Sequence, residues 1–75
     1  MADVSKKSYY RDADHKDLIV RVWFEDGKRR GQWWGKKAKK WFDSDGLAFT
    51  VADDIYDNHP LTYAEVEEIT GQKAD

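Results

Sequence analysis

The feature that most constrains this chain is an eight-residue alternation, Leu18–Glu25 (LIVRVWFE), closed by Asp26-Gly27. Leu18, Val20, Val22 and Phe24 fall on one side of an extended strand, and Ile19, Arg21, Trp23 and Glu25 on the other. Its β-branched and aromatic residues favour that conformation. Asp-Gly supplies the positive φ angles of a two-residue hairpin turn, so a partner strand is predicted to return through Arg29–Trp34. An antiparallel sheet follows from this segment alone.

Local signals place the other elements. Residues 1–16 carry no periodicity and few apolar side chains. They read as a flexible N-terminal arm, with Tyr9 and Tyr10 anchoring its end, ahead of a single domain over 17–75. KKAKKWF (36–42) suits either a helical turn or a third strand. Asp43-Ser44-Asp45-Gly46 is turn chemistry. Beyond it Leu47, Phe49 and Val51 alternate as in a strand, although Leu47, Val51 and Ile55 also share a helical face that Asp43 or Asp45 would cap. The expected form is a strand over 47–51 running into a short helical or irregular stretch to Asn58. At the C-terminus Thr62 and Glu65 make a capping box, and Leu61 and Val66 a hydrophobic staple. Pro60 stops whatever precedes, and Gly71 ends the helix. Tyr63, Val66 and Ile69 are predicted to face inward, and Glu65, Glu67 and Glu68 to face water. The expected architecture is α+β: a small antiparallel sheet of three or four strands with a short C-terminal helix. Curling into an SH3-like shape is one outcome the same pattern allows.

Composition narrows the function. Seventy-five residues hold one core, and at such a size folding buries only about 60% of the unfolded chain's surface. With no cysteine there is neither a disulfide framework nor a thiolate metal site, which fits a reducing compartment. Four Trp, four Tyr and three Phe must supply the core, each burying roughly 150–250 Å². No run approaches the roughly 20 apolar residues of a membrane span. The opening MADVSKKSYYRDADHKD lacks the apolar stretch of a secretory leader, so a cytoplasmic protein without membrane contact is expected.

The net charge of −2 hides a strong asymmetry. Residues 1–42 carry twelve Lys or Arg against six Asp or Glu, and residues 43–75 one Lys against nine Asp or Glu. Either the halves fold onto each other or they face different partners.

Function concentrates in Lys28–Phe42, KRRGQWWGKKAKKWF, where Lys28, Arg29, Arg30, Lys36, Lys37, Lys39 and Lys40 interleave with Trp33, Trp34 and Trp41. Cations neutralise phosphates and flat rings stack on bases, which is how single-stranded nucleic acid is held. Gly31 and Gly35 would admit a ligand close to the backbone. Across the hairpin, Arg21 and Trp23 are placed to join Trp33 or Trp34 in a basic, aromatic sheet face. The competing account is structural: a small core needs its Trp, strand alternation sends Trp33 and Trp34 to opposite faces, and lysines guard a sheet edge. The expected activity is therefore a non-enzymatic binding module for single-stranded nucleic acid. The alternative is an interaction or inhibitor module of the phage or mobile-element accessory type. It would dock on a host protein through the Trp-rich face or through Asp53, Asp54, Asp57, Glu65 and Glu68.

Other chemistries have less support. His15 and His59 are each alone, whereas a zinc site needs three or four ligands. Asp43, Asp45 and Asp54 follow part of a calcium-loop spacing, but Leu47 and Ala48 occupy positions that need a ligand and a glycine. No metal or cofactor is expected. Ser5, Ser8 and Ser44 sit in no nucleophile motif, and no catalytic residue is assigned. A monomer or a homodimer paired through an exposed strand edge is expected.

Overall fold

The computed structural model describes residues 5–54 and 58–74. Five strands form one antiparallel sheet: β1 (Ser8–Asp12), β2 (Ile19–Glu25), β3 (Lys28–Gly35), β4 (Lys40–Asp43) and β5 (Asn58–Leu61). Two eight-residue helices complete the fold, α1 (Asp45–Ala52) and α2 (Tyr63–Thr70). Sheet order is β4-β3-β2-β1-β5, so α1 carries the chain from one edge of the sheet to the other. Among the described residues no ladder joins the edge strands β4 and β5.

The predicted hairpin is present. Glu25 pairs with Lys28, and Asp26 and Gly27 between them take φ of 52° and 78°. These are the positive values a two-residue primed turn requires. Val20 and Val22 point to one face, where they pack with Ala48, Val51 and Ala52 of α1. Tyr10, Leu18, Trp33 and Phe49 border this core. Phe24, expected on the same inward face, lies at the strand end beyond the helix and is 53% exposed.

Alternation over 47–51 is misleading, because this segment is α1 and not a strand. The residues it buries are Ala48, Val51 and Ala52, at helical spacing. Two of the three are alanine, so the helical stripe carries little hydrophobic signal, while Leu47 is left 38% exposed. Two latches fix the start of α1. Ser44 N–H donates to the Gly31 carbonyl at 3.1 Å, and Gly31 N–H donates to Asp45 Oδ1 at 2.8 Å.

The supposed arm is the second correction. Its residues Ser8–Asp12 form β1, between β2 and β5. Ser5 extends that pairing, donating to the Phe24 carbonyl and accepting from the Phe24 N–H, both at 2.8 Å. Tyr9 is only 2% exposed and belongs to a second core cluster with Val66 and Ala74, bordered by Trp41 and Leu61. The added strands bring the sheet to five, beyond the three or four expected. β5 has the sequence NHPL, and Pro60 is tolerated because β5 is an edge strand.

Helix α2 begins and ends as its sequence dictates. Thr62 accepts from Glu65 N–H, Glu65 accepts from Thr62 N–H, and Gly71 takes φ of 71°. Leu61 and Val66 lie in the same cluster, as a staple requires. Of the predicted inward stripe only Val66 is fully buried, whereas Tyr63 is 36% and Ile69 45% exposed.

Glycines 31 and 35 were candidates for ligand approach, but both serve the interior. A Cβ at Gly31 would lie 2.5 Å from the Ala48 Cβ, and one at Gly35 would enter the Phe42 ring. Gly31→Ala therefore forces α1 away from the sheet. It is expected to cost about 1–3 kcal/mol, seen as a lower urea midpoint with an unchanged slope. A variant as stable as the parent would contradict the close contact.

Candidate nucleic-acid interface

The strand register sorts the candidate residues. On the face covered by α1 lie Arg29, Trp33 and Lys40; on the face carrying α2 lie Arg21, Lys28, Arg30, Trp34 and Trp41. Lys36, Lys37 and Lys39 sit in the β3–β4 turn. The basic segment is thus divided into three parts.

On the α1 face the residues serve the fold. Trp33 stacks on Phe42 with ring centroids 4.8 Å apart and planes inclined by 20°, and Lys40 Nζ lies 4.8 Å from the Phe42 ring. Arg29 makes a two-pronged pair with Asp53 at 2.7 and 2.8 Å, and its guanidinium lies 4.5 Å from the Phe49 ring. Arg29 was a candidate phosphate ligand and Asp53 a candidate docking residue. Each instead engages the other and ties the end of α1 to β3.

The α2 face holds the aromatic-basic cluster. Trp34 packs against Trp41 at 5.3 Å, and Trp41 against Tyr9 at 5.9 Å. Arg21 lies 4.3 Å from the Trp41 ring and 5.6 Å from the Trp23 ring. Its Nε donates to Gln32 Oε1 at 2.8 Å, and Gln32 Nε2 donates to Asp43 Oδ1 at 2.7 Å. Arg21 is thereby held between the two rings, where a guanidinium is favourably placed. Trp34 is 4% exposed and interior.

Beyond the reach of α2 this face stays open. Trp23 is half-buried, directly paired with Arg30 across the hairpin, with Lys7 Nζ 5.4 Å from its ring. Arg30 approaches Glu25 at 3.5 Å and Asp45 at 3.9 Å. Lys28 lies exposed at the turn end of β3. Trp23 was legible as a neighbour of Arg21 through strand alternation. Lys7 was not, because nothing in the sequence marks β1 as the strand beside β2.

The acidic set is dispersed. Glu65 is part of the α2 cap, and Asp57 lies outside the described residues. Asp54 follows α1, while Glu68 borders a shallow cleft beside Lys36 and Lys39. Lys36 is 3.5 Å from Asp17, and both are well exposed. His15 Nδ1 lies 3.0 Å from Asp12 Oδ2 in the β1–β2 loop. Among the described residues no group of three or more His, Asp or Glu is placed to hold a metal ion, and no helix is long and apolar enough to cross a membrane. No family model, curated protein or solved structure matches this chain.

Among the described residues two carboxylates are perturbed. The hydrogen bond from Arg29 holds Asp53 below its ordinary pKa, and the Thr62 backbone N–H does the same for Glu65, helped by the Thr62 hydroxyl. A group with a lowered native pKa binds fewer protons folded than unfolded, so its stabilisation is present above the unfolded value and lost as pH falls through the folded one. Arg29, raised by the same pair, stays cationic throughout. The melting temperature is therefore expected to be flat near neutrality and to fall below about pH 4–5, the ordinary carboxylate range. Asp53→Asn and Glu65→Gln should each lower the neutral melting temperature and shallow the acid slope. An acid slope unchanged in both variants would contradict the assignment.

Proposed function

We propose that this protein is a non-enzymatic binding module for single-stranded nucleic acid, and that it binds through the open half of the α2 face. The observation that carries this reading is Trp23, a half-buried indole flanked by Lys7 and Arg21 and paired with Arg30. A base stacking on Trp23 places its phosphates within reach of Lys7, Lys28 and Arg30, while Glu25 limits the net positive charge. Arg21 orients the ring from below. Lys36, Lys37 and Lys39 at the opposite end of β3 add long-range attraction to phosphate. Trp33 and Arg29, committed to the α1 face, take no part.

The rival reading, docking on a basic host-protein surface, draws on acidic side chains that the fold partly consumes. Asp53 is bonded to Arg29 and Glu65 to the α2 cap. Its outcome in practice is a protein complex that survives nuclease treatment and weakens in Glu68→Lys.

The test is a tryptophan-fluorescence titration with an oligothymidylate of about eight nucleotides, within the usual span of one small binding domain. It is run at about 50 and 200 mM salt, where phosphate contacts respond strongly. Quenching is expected, with affinity falling steeply as salt rises. Trp23→Ala should weaken binding by about 1–3 kcal/mol, and Lys28→Ala with Arg30→Ala should flatten the salt slope. Equal affinity of Trp23→Ala and the parent would refute the stacking role.

A further inference from the structure

At the other end of the α2 face a cleft of about 310 Å³ opens between the strand ends and α2. Its floor is Ile19 and Trp34, which are 2% and 4% exposed, and its wall is Ile69, the most exposed large apolar side chain of α2. Three cations from three separate elements stand around it: Arg11 from β1, Lys16 from the β1–β2 loop and Lys36 from the β3–β4 turn. One carboxylate, Asp17, shares the rim and offsets Lys36 at 3.5 Å. Neither Arg11 nor Lys16 has an ion-pair partner within 4 Å among the described residues.

We infer that this cleft binds a small planar anion, one ring or a fused pair bearing a carboxylate or phosphate. The ring lies against Ile19, Trp34 and Ile69, and the anionic group is turned toward Arg11 and Lys16. The volume is at the lower end of small-ligand sites, which are apolar with a few converging polar groups. It accommodates one ring or a fused pair rather than a whole peptide. Apolar walls beside the cations strengthen their hold on an anion relative to water. Burying the exposed face of Ile69 adds a hydrophobic contribution that a bare ion lacks. Ile19 is four residues from Trp23 along β2, about 13 Å, so this site lies apart from the Trp23 surface and does not depend on it, although Lys36 on its rim also contributes to the basic turn.

The test follows amide resonances of the full chain during titration with indole-3-acetate, 1-naphthyl phosphate and uncharged indole. Saturable shifts are expected at Ile19, Trp34, Lys36 and Ile69 with at least one of the two anions, and the tighter of them identifies the anionic group. Indole should bind about tenfold more weakly, the worth of one charge-assisted contact. Arg11→Gln with Lys16→Gln should erase that preference, and Ile69→Gln should weaken both anions; all three positions are at the surface or half-exposed, so the fold survives. Trp23→Ala should bind the anions as the parent does. Equal binding of indole and the anions, shifts that fail to saturate, or shifts centred on Trp23 would each overturn the site.

Discussion

Where α1 crosses β3 at Gly31, the absence of a side chain lets Ala48 come into direct contact with the sheet. The same residue is bonded through its backbone to Ser44 and Asp45 at the start of the helix. The rest of the fold depends on this contact. It seats the short helix α1 across the middle of the sheet, buries Val20 and Val22 beneath it, and delivers the chain to the far edge, where β5 pairs with β1. Such a helix would not be stable alone. Its order comes from the contact with the sheet, from the Asp45 latch and from the Arg29–Asp53 clamp at its other end.

Covering one face so closely leaves the opposite face less protected. The second helix is as short as the first and buries only Val66 completely. It covers Tyr9, Trp41 and Trp34 and stops short of Trp23 and Arg30. Among the described residues Trp33, Trp34 and Trp41 pack against other aromatic rings, whereas Trp23 lies among the cations Lys7, Arg21 and Arg30. This division gives the proposed function its location. The basic charge itself is spread over both faces and a turn, and part of it, at Arg29, is spent within the fold.

What the sequence revealed follows from which signals are local. The Asp26-Gly27 hairpin, the Thr62–Glu65 cap and the Gly71 terminus are each written in two to four neighbouring residues, and all three are present. The opposition of Trp33 and Trp34 was equally readable, since alternation demands it. The strand β1 was hidden because SYYRD is polar and gains its order from neighbours on both sides. The helix α1 was hidden because alanines form its buried stripe. Glycines 31 and 35 read as openings for a ligand, yet they make room for Ala48 and Phe42, which are distant in sequence. For the proposed site, composition drew attention to residues 28–42, but only the strand register separates Arg30 from Arg29, or brings Lys7 beside Trp23.

The central claim is that Trp23, and not the more conspicuous Trp33-Trp34 pair, is the contact surface. The four indole N–H resonances, followed while a short single strand is added at low salt, test it directly. The account predicts that the Trp23 signal moves most and saturates with the binding curve, while those of Trp33 and Trp34 stay nearly fixed. Movement of Trp33 together with α1 amides, with Trp23 unchanged, would place the ligand on the opposite face and contradict the account.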